Sequence, residues 1–216
     1  PYKATSVSRI MATLKHFARW VHKEKPFVTG YPFQGVRIIE IEEPRWNGLS
    51  DKQILRLKSA CEHRIATCKQ KNQNPLLEVT VFYILLTTGL RESELATLNY
   101  GQYHHRGFHE VKRSKSKKIS TKVPLPNEAR DHLDKYLSTR TELSLESPLL
   151  VTKYGNRITR FEIIRICRRI SKLANAYLEE EEKFNLTPHM LRHSFLKRIA
   201  DKYDVHIAQK MSGNVS

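Results

Sequence analysis

Two short stretches of the sequence carry polar side chains whose types and spacing suit the binding of an anion. In "TPHMLRHSF", His189 and Arg192 lie three residues apart on one face of a predicted helix. Thr187 is the expected N-cap and Pro188 the first helical residue, so both side chains lie near the helix N-terminus. That end favours negative charge, because its backbone N–H groups are unpaired and the helix dipole is positive there. A hydrated surface turn would use the same residue types, so this stretch alone leaves both interpretations open.

The second stretch is "TTGLRESEL", in which Arg91 follows a glycine at a predicted break between two helices. Glu94 lies one turn later, where it can hold the guanidinium group by charge-assisted hydrogen bonds. An exposed ion pair would have the same spacing. The apolar run that precedes Gly89 nevertheless indicates that Arg91 emerges from the core rather than from the rim of the protein.

The charge of the chain favours a polyanionic partner. Its 216 residues include 38 Lys and Arg against 22 Asp and Glu, which gives a net charge of +16. Nucleic acid is the partner class that such a balance favours. A basic membrane-surface protein is the rival class, yet no apolar run approaches spanning length and no signal-peptide core opens the chain. We therefore expect no membrane partner and a cytoplasmic, nucleoid-associated location.

The cysteines and the clustered histidines do not form a metal-ligand pattern. Cys61, Cys68 and Cys167 are odd in number, which fits reduced thiols in a cytosolic protein. The first two lie two helical turns apart in an amphipathic segment, so buried thiols are favoured over zinc. The histidines of "YHHRGFH" lack a carboxylate or thiol at ligand spacing and are interpreted as part of a solvated loop. We expect neither a metal nor a cofactor.

The start of the chain predicts one amphipathic helix. Ile10, Leu14, Phe17 and Val21 recur at helical spacing and should bury one face. Its opposite face is basic, which suits contact with DNA phosphates or solubility alone, through Arg9, His16, Arg19 and Lys23. Prolines and glycines then interrupt the pattern, and a linker with an Asn-Gly turn indicates a domain boundary near residue 46.

The rest of the chain is predicted to be mostly helical. Ser50 is an expected N-cap, and an apolar helix that begins at Pro75 is expected at the centre of the core. Between residues 106 and 124, apolar residues flank a basic tip, which predicts a β-hairpin. Asn127 and Thr159 are expected to cap two later helices. The predicted fold class is mainly α with a small antiparallel β-sheet (α+β).

These motifs resemble those of the tyrosine recombinases, or phage-type integrases. "TGLRESEL" is similar to the family's first arginine motif, "HMLRH" followed by "SF" is similar to its His-x-x-Arg motif, and a basic hairpin ending in "VPLP" lies between them. The resemblance covers residues 49–216. It implies a catalytic domain over residues 46–216, preceded over residues 1–45 by the end of a helical core-binding domain. It also implies double-stranded DNA as substrate and self-association as a tetramer on DNA.

The resemblance implies site-specific strand exchange through a 3′-phosphotyrosyl intermediate, without metal or ATP. Arg91 and Arg192 would neutralise the nonbridging phosphate oxygens as charge develops. Lys115 would protonate the departing 5′ oxygen. His189 would bind the phosphate or assist proton transfer from the nucleophile. The supporting residues would be Glu94 and His193.

The hairpin tip "KRSKSKK" offers more than one lysine for the role of general acid. Its small-Lys-small pattern selects Lys115, which best matches the family's Gly-Lys-Gly, while Lys117 and Lys118 remain alternatives. Arg113 is expected to bind DNA together with these two alternative lysines.

The last residues depart from the family's pattern. Asn214 follows a glycine at the position where the family has His or Trp, and it could donate one hydrogen bond there. The nucleophilic tyrosine would lie on a helix after Ser216, so we expect the 216 residues alone to bind DNA without forming a covalent adduct. Tyr203 lies too early for this role and is interpreted as a core residue.

Two other functions are compatible with the motifs. A type IB topoisomerase uses the same phosphate-binding arginines, although the compact spacing of the motifs disfavours it. The alternative without catalysis is a DNA-binding accessory protein that kept the phosphate site and lost its nucleophile. Neither alternative changes the expected partner.

The charge balance generates a first prediction. Affinity for duplex DNA should fall steeply with salt, with a log–log slope of about −5 or steeper, because bound lysines and arginines release counterions from several phosphates. Fluorescence anisotropy over a salt titration measures this slope. A flat salt dependence would exclude nucleic acid as the partner.

Overall fold

The computed structural model describes residues 2–37, 48–68, 73–114, 119–141 and 143–212. The contacts within the chain divide it into two units, which meet in sequence between Trp46 and Asn47. In the part of the chain that the structure describes, no helix is long and apolar enough to cross a membrane.

The first unit is built on helix α1 (Ala4–Glu24). The segment that follows the helix folds back onto it. Tyr31 Oη donates to the Lys15 carbonyl at 2.9 Å, and the Phe27 N–H donates to His22 Nδ1 at 3.0 Å. This segment covers the face that carries Ala18, which is buried.

The expected burial of the apolar stripe on α1 is wrong. Ile10, Leu14 and Phe17 are 51%, 45% and 59% exposed, and only Val21 of the four is half-buried. The reason is that the returning segment packs against another face of the helix, centred near Lys15 and Ala18. Helical spacing identified an apolar face correctly, but it could not show which face this unit covers.

The second unit is mainly helical and has one small sheet, as the sequence predicted. In chain order its helices are α2 (Asp51–Thr67), α3 (Pro75–Thr88), α4 (Glu92–Ala96), α5 (Asn127–Leu137), α6 (Arg160–Ala174), α7 (Pro188–Lys202) and α8 (Val205–Ser212). Two 3₁₀ turns span Tyr100–Gln102 and Glu180–Glu182.

Helix α3 lies at the centre of the core, and four other helices pack against it. Asn74 caps it, its side chain accepting the Leu77 N–H at 3.0 Å, and Pro75 is its first residue. Of its 14 residues, 11 are buried, because α2, α5, α6 and α7 all pack against it. The apolar pattern of the sequence therefore predicted both its existence and its place.

One charged residue of α3 is also buried, which the sequence analysis missed. The Glu78 carboxylate accepts hydrogen bonds from Arg64 Nε at 2.9 Å and from Arg169 Nη1. These arginines lie on α2 and α6, so the carboxylate joins three helices. A buried carboxylate is tolerated when it is paired in this way.

The sheet has three antiparallel strands in the order β1 (Tyr103–His104), β2 (Gly107–Lys112) and β3 (Ile119–Pro124). Strands β2 and β3 are the predicted hairpin. In their register, Phe108 faces Val123 and Val111 faces Ser120. Glu110 has a left-handed backbone (φ 52°), and around it the alternation of buried residues shifts by one position. Phe108 and Val111 are therefore both buried.

The predicted helix caps are confirmed at Ser50 and Thr159, whose side chains accept the N–H groups of Gln53 and Glu162. The cap at Asn127 is wrong, because Asn127 is already helical and Pro126 occupies the cap. The interpretation of Tyr203 as a core residue is also wrong. It follows the last helical residue of α7, so it does not continue the apolar face of the helix, and it is 59% exposed.

The cysteines agree with the prediction in part. Cys61 and Cys167 are buried, and burial raises the pKa of each thiol. Cys68 is half-buried, because it stands at the C-terminal end of α2 rather than on its buried face. Among the described residues, no group of three His, Cys, Asp or Glu side chains could hold a metal ion.

His132, on α5, is a buried histidine without a complete set of hydrogen bonds. Its ring stacks on Tyr83 with the centroids 4.1 Å apart, and Nδ1 has no hydrogen-bond partner among the described atoms. Nε2 lies 3.7 Å from a carboxylate oxygen of Glu62. Burial lowers the pKa of His132 and outweighs the opposing effect of Glu62.

This lowered pKa predicts a loss of stability in acid. Below about pH 6.5 the unfolded chain gains a proton at His132 that the folded chain does not accept, so the free energy of unfolding decreases with falling pH. His132→Phe keeps the stacking and removes the titration, so it should lose less stability between about pH 7.5 and about pH 5.5. Urea denaturation at both values measures this difference.

The control is His63→Gln, because His63 is exposed on α2. That variant should follow the unmodified protein at both pH values. An equal loss of stability in His132→Phe and in the unmodified protein would contradict the prediction.

Candidate functional site

Arg192, on α7, is held inside the protein by two backbone carbonyls. Thr187 caps the helix and Pro188 is its first residue, as predicted. The Arg192 side chain is buried, and it donates to the carbonyl oxygens of Gly89 and, at 2.7 Å, Ser212. These carbonyls end α3 and α8. The C-terminal end of a helix carries partial negative charge, which stabilises a buried guanidinium group.

Gly89 allows α7 to approach the end of α3 for two reasons. Its φ of 63° is left-handed, which favours glycine, and it ends α3. A Cβ atom at this position would lie 2.3 Å from Cδ1 of Phe195 on α7, so a side chain cannot be accommodated without movement. The absence of a side chain therefore lets α7 pack against the end of α3.

Arg91 and Glu94 form the pair that the sequence predicted. Arg91 precedes α4, and its Nη1 donates to Glu94 Oε1 at 2.9 Å while its backbone N–H donates to Oε2 at 3.1 Å. Glu94 is 1% exposed, whereas the side chain of Arg91 is 21% exposed. Burial alone would raise the pKa of Glu94, but the hydrogen bonds from Arg91 and the charge of Arg113 lower it overall. Glu94 is therefore ionised at neutral pH.

The two motifs converge in space. Burial first, and then the positive charge of Arg91, lower the pKa of Arg192 to about 10. Arg192 remains charged at neutral pH, and its hydrogen bond to the carbonyl of Gly89, two residues before Arg91, brings the two like charges into one region. Such an arrangement is unfavourable by itself and is typical of a site that binds an anion.

His189 and His193 form a hydrogen-bonded pair on α7. Their Nε2 atoms lie 2.7 Å apart, so one ring donates and the other accepts. His189 is exposed and His193 is half-buried. Burial, followed by the charges of His189 and Arg192, lowers the pKa of His193. The hydrogen bond fixes the orientation of the two rings relative to each other.

Arg113 does not lie where a DNA-binding residue was expected. It is 4% exposed, and its guanidinium group contacts Glu94, Ser120 and the Met211 carbonyl. The alternation of the strand explains this, because Arg113 lies two residues after the buried Val111. The sequence left the choice open, because alternation counted from Val111 places Arg113 inside the protein and alternation counted from Phe108 places it outside.

The remaining predicted site residues divide into two groups. On α1, in the first unit, the basic side chains are exposed, as contact with DNA would require, at Arg9, His16, Arg19 and Lys23. Outside the described residues lie Lys115, Lys117, Lys118 and Asn214. Their roles stay predictions.

Comparison with known proteins identifies the family. The profile of the Phage integrase family matches residues 47–216. The chain belongs to the phage integrase family.

Several curated tyrosine recombinases are similar to this integrase-family chain. XerD of Oceanobacillus iheyensis is 27% identical, and the alignment covers 97% of this chain and 67% of XerD. XerC of Corynebacterium efficiens is 31% identical over 63% of this chain and 42% of XerC. The chain thus spans about two thirds of the length of this XerD and less than half of this XerC.

Solved integrase structures share the fold. A lambda integrase (75-356) dimer bound to a COC′ core site has a TM-score of 0.72 at 18% identity, covering 99% of this chain and 73% of that one. The Tn1549 transposon integrase in complex with circular intermediate DNA has a TM-score of 0.73 at 18% identity, covering 99% and 72%. At these identities the likeness shows the fold alone.

The approach of Gly89 to Phe195 generates a prediction for this integrase-family site. Gly89→Ala should lower the free energy of unfolding by about 1–2 kcal/mol for the left-handed backbone. Overpacking against Phe195 should cost a further ~1–3 kcal/mol. Urea denaturation measures the total.

Gly155→Ala is the matched control. Gly155 also has a left-handed backbone (φ 79°), but a Cβ atom there would meet nothing within 4 Å. This variant should show only the backbone cost. Equal losses in the two variants would mean that the contact with Phe195 contributes nothing.

Proposed function

We propose that the protein is a site-specific DNA recombinase of the tyrosine type, which cuts and rejoins DNA through a 3′-phosphotyrosyl intermediate. One observation carries the proposal. The buried Arg192 donates to the carbonyl of Gly89, two residues before the partly exposed Arg91, so the arginines of two distant motifs meet in one region. The charge of Arg91 adds to the effect of burial in lowering the pKa of Arg192. In a chain of the phage integrase family, the anion that suits this pair is the scissile phosphate of DNA.

The reaction requires no external energy source. The tyrosine oxygen attacks the phosphorus atom and the bond to the 5′ oxygen breaks, so one phosphate ester replaces another. Arg91 and Arg192 neutralise the charge that develops on the nonbridging oxygens. The tyrosine gives up its proton, and the 5′ oxygen receives one from a general acid. Attack by the free 5′-hydroxyl of a new strand reverses these steps.

The roles of the other predicted residues follow from this chemistry. We assign Lys115 as the general acid, His189 as a phosphate ligand or proton acceptor, and Asn214 as a hydrogen-bond donor to the phosphate. Glu94 and His193 orient their neighbours. The four basic residues of α1 bind the DNA backbone within a core-binding domain that ends near residue 45.

Strand exchange brings two duplexes together, so we propose that the protein acts as a tetramer on DNA, in the nucleoid. The lambda integrase structures support this proposal, since they include a dimer on a core site and a tetramer on a Holliday junction. A match to the phage integrase family favours recombination over type IB topoisomerase activity.

The proposal predicts a covalent complex between the full-length protein and DNA. Nicked duplexes from a fragment library of the source genome should trap it, because the short fragment that carries the freed 5′-hydroxyl diffuses away after cleavage. A denaturing gel should show a DNA-linked band, and mass spectrometry should find the nucleotide on a tyrosine. Arg91→Ala and Arg192→Ala should form this complex at least about 100-fold more slowly.

Arg140→Gln is the control, because Arg140 donates to the carbonyls of Pro148 and Leu149 without contact to the site. It should form the complex at nearly the normal rate. Recovery of one sequence from the library would support a recombinase. Unselective recovery would favour a topoisomerase, and the absence of any DNA-linked band would refute the proposal.

A further inference from the structure

Glu94 accepts hydrogen bonds from both sides of the site. Arg91 occupies one side with its Nη1 and its backbone N–H. On the other side, Arg113 Nη1 donates to Oε2 at 3.0 Å, and the backbone N–H and hydroxyl of Ser114 donate to Oε1 at 3.2 Å each. One buried carboxylate thus joins the residue that precedes α4 to the end of β2.

Arg113 extends this connection to two further elements. Its Nε donates to the Ser120 hydroxyl on β3 at 2.6 Å, and its Nη2 donates to the Met211 carbonyl on α8 at 3.3 Å. Arg192 holds the next carbonyl of α8, that of Ser212, at 2.7 Å. Two buried arginines therefore bind consecutive carbonyls at the end of the same helix.

Stability alone does not account for this network. Burying a guanidinium group and a carboxylate costs several kcal/mol of desolvation, and well-packed apolar residues often serve stability as well or better. An ionic network fixes directions and distances instead, since each planar guanidinium fork holds its partners in one geometry.

The charges of the network suit the chemistry of the site. The charges of Arg91, Arg113, Arg192 and Glu94 sum to +2, and the nearby Glu92 carboxylate, which also acts on Arg192, offsets part of this charge. A phosphodiester carries about one negative charge and develops close to two in a five-coordinate transition state. Without Arg113, the carboxylate would cancel one of the two charges that face the phosphate.

We infer that Arg113 is a positioning residue for phosphoryl transfer, which holds Arg91 through Glu94 and the end of α8 through Met211 in one fixed arrangement around Arg192. It does not touch the phosphate itself, because it is buried behind Glu94. This inference rests on the proposed function.

The charge of the substrate distinguishes a positioning role of Arg113 from a purely structural one. A methylphosphonate at the scissile position replaces one nonbridging oxygen by a methyl group, and this ester is neutral. It needs less neutralisation in the transition state. A variant that disturbs the arginines should therefore be impaired mainly on the normal phosphodiester, whereas a loosely folded variant should be impaired equally on both substrates.

The experiment measures single-turnover formation of the covalent complex by the full-length protein, at saturating DNA, on both substrates. Arg113→Gln should slow the reaction on the phosphodiester by about 100-fold and on the methylphosphonate by no more than about 5-fold. The Kd for DNA should stay within about 3-fold of normal. Arg91→Ala should show the same difference between substrates.

Two milder variants keep the test decisive if Arg113→Gln does not fold. Arg113→Lys keeps the charge beside Glu94 but cannot reach three partners at once, and Ser120→Ala removes only the contact at Nε. Both should be impaired more on the phosphodiester than on the methylphosphonate. The structural control is Arg140→Gln. Its fold loss of rate on the phosphodiester, divided by its fold loss on the methylphosphonate, should be about 1.

Each outcome decides a different statement. Equal losses of Arg113→Gln, Arg113→Lys and Ser120→Ala on both substrates would overturn the inference and leave the proposed function intact. Failure of the unmodified protein to form a covalent complex would overturn the proposed function, and the inference with it. Selective loss on the phosphodiester supports both.

Discussion

The repulsion between two arginines is the constraint on which this site depends. A phosphate can be held from two sides only if Arg91 and Arg192 lie near each other, which costs electrostatic repulsion. Burial first, and then the charge of Arg91, lower the pKa of Arg192. The protein offsets that cost with fixed negative charge behind the arginines. Glu94 accepts a hydrogen bond from Arg91, and two backbone carbonyls accept hydrogen bonds from Arg192. In the proposed function, the face toward the phosphate is thereby left positive.

The buried core provides the rigidity that this arrangement needs. Helix α3 is enclosed by other helices, and the carbonyl of Gly89 at its end accepts a hydrogen bond from Arg192. Helix α7 carries Arg192 and packs on α3 through Phe195, directly against Gly89. Arg91 directly precedes α4 and Arg192 lies near the start of α7. Because both arginines are attached to the ends of packed helices, the distance between them is fixed by the core rather than by loops.

The two buried carboxylates of the second unit illustrate the difference between structural and functional ion networks. Glu78 and Glu94 each accept from two guanidinium groups, and each connects several elements. The arginines of Glu78 join α2 and α6 to the core helix. Those of Glu94 lie beside a further buried arginine, Arg192, so three arginines surround this carboxylate where two surround Glu78. The proposed function assigns the second network to a phosphate site because of this larger surplus, since burial alone would not distinguish the two.

The sequence by itself determined the local structure and the family. The apolar run of α3, the caps at Ser50 and Thr159 and the hairpin depend on neighbouring residues, and the two arginine motifs resemble a family that the profile comparison confirmed. Tertiary structure alone decided which face of α1 is covered and which donors share Glu94. It also decided that Arg113 is buried although basic tips are usually exposed. These features depend on elements far apart in sequence, such as β2 and α8, and no local pattern records which partners the fold brings together.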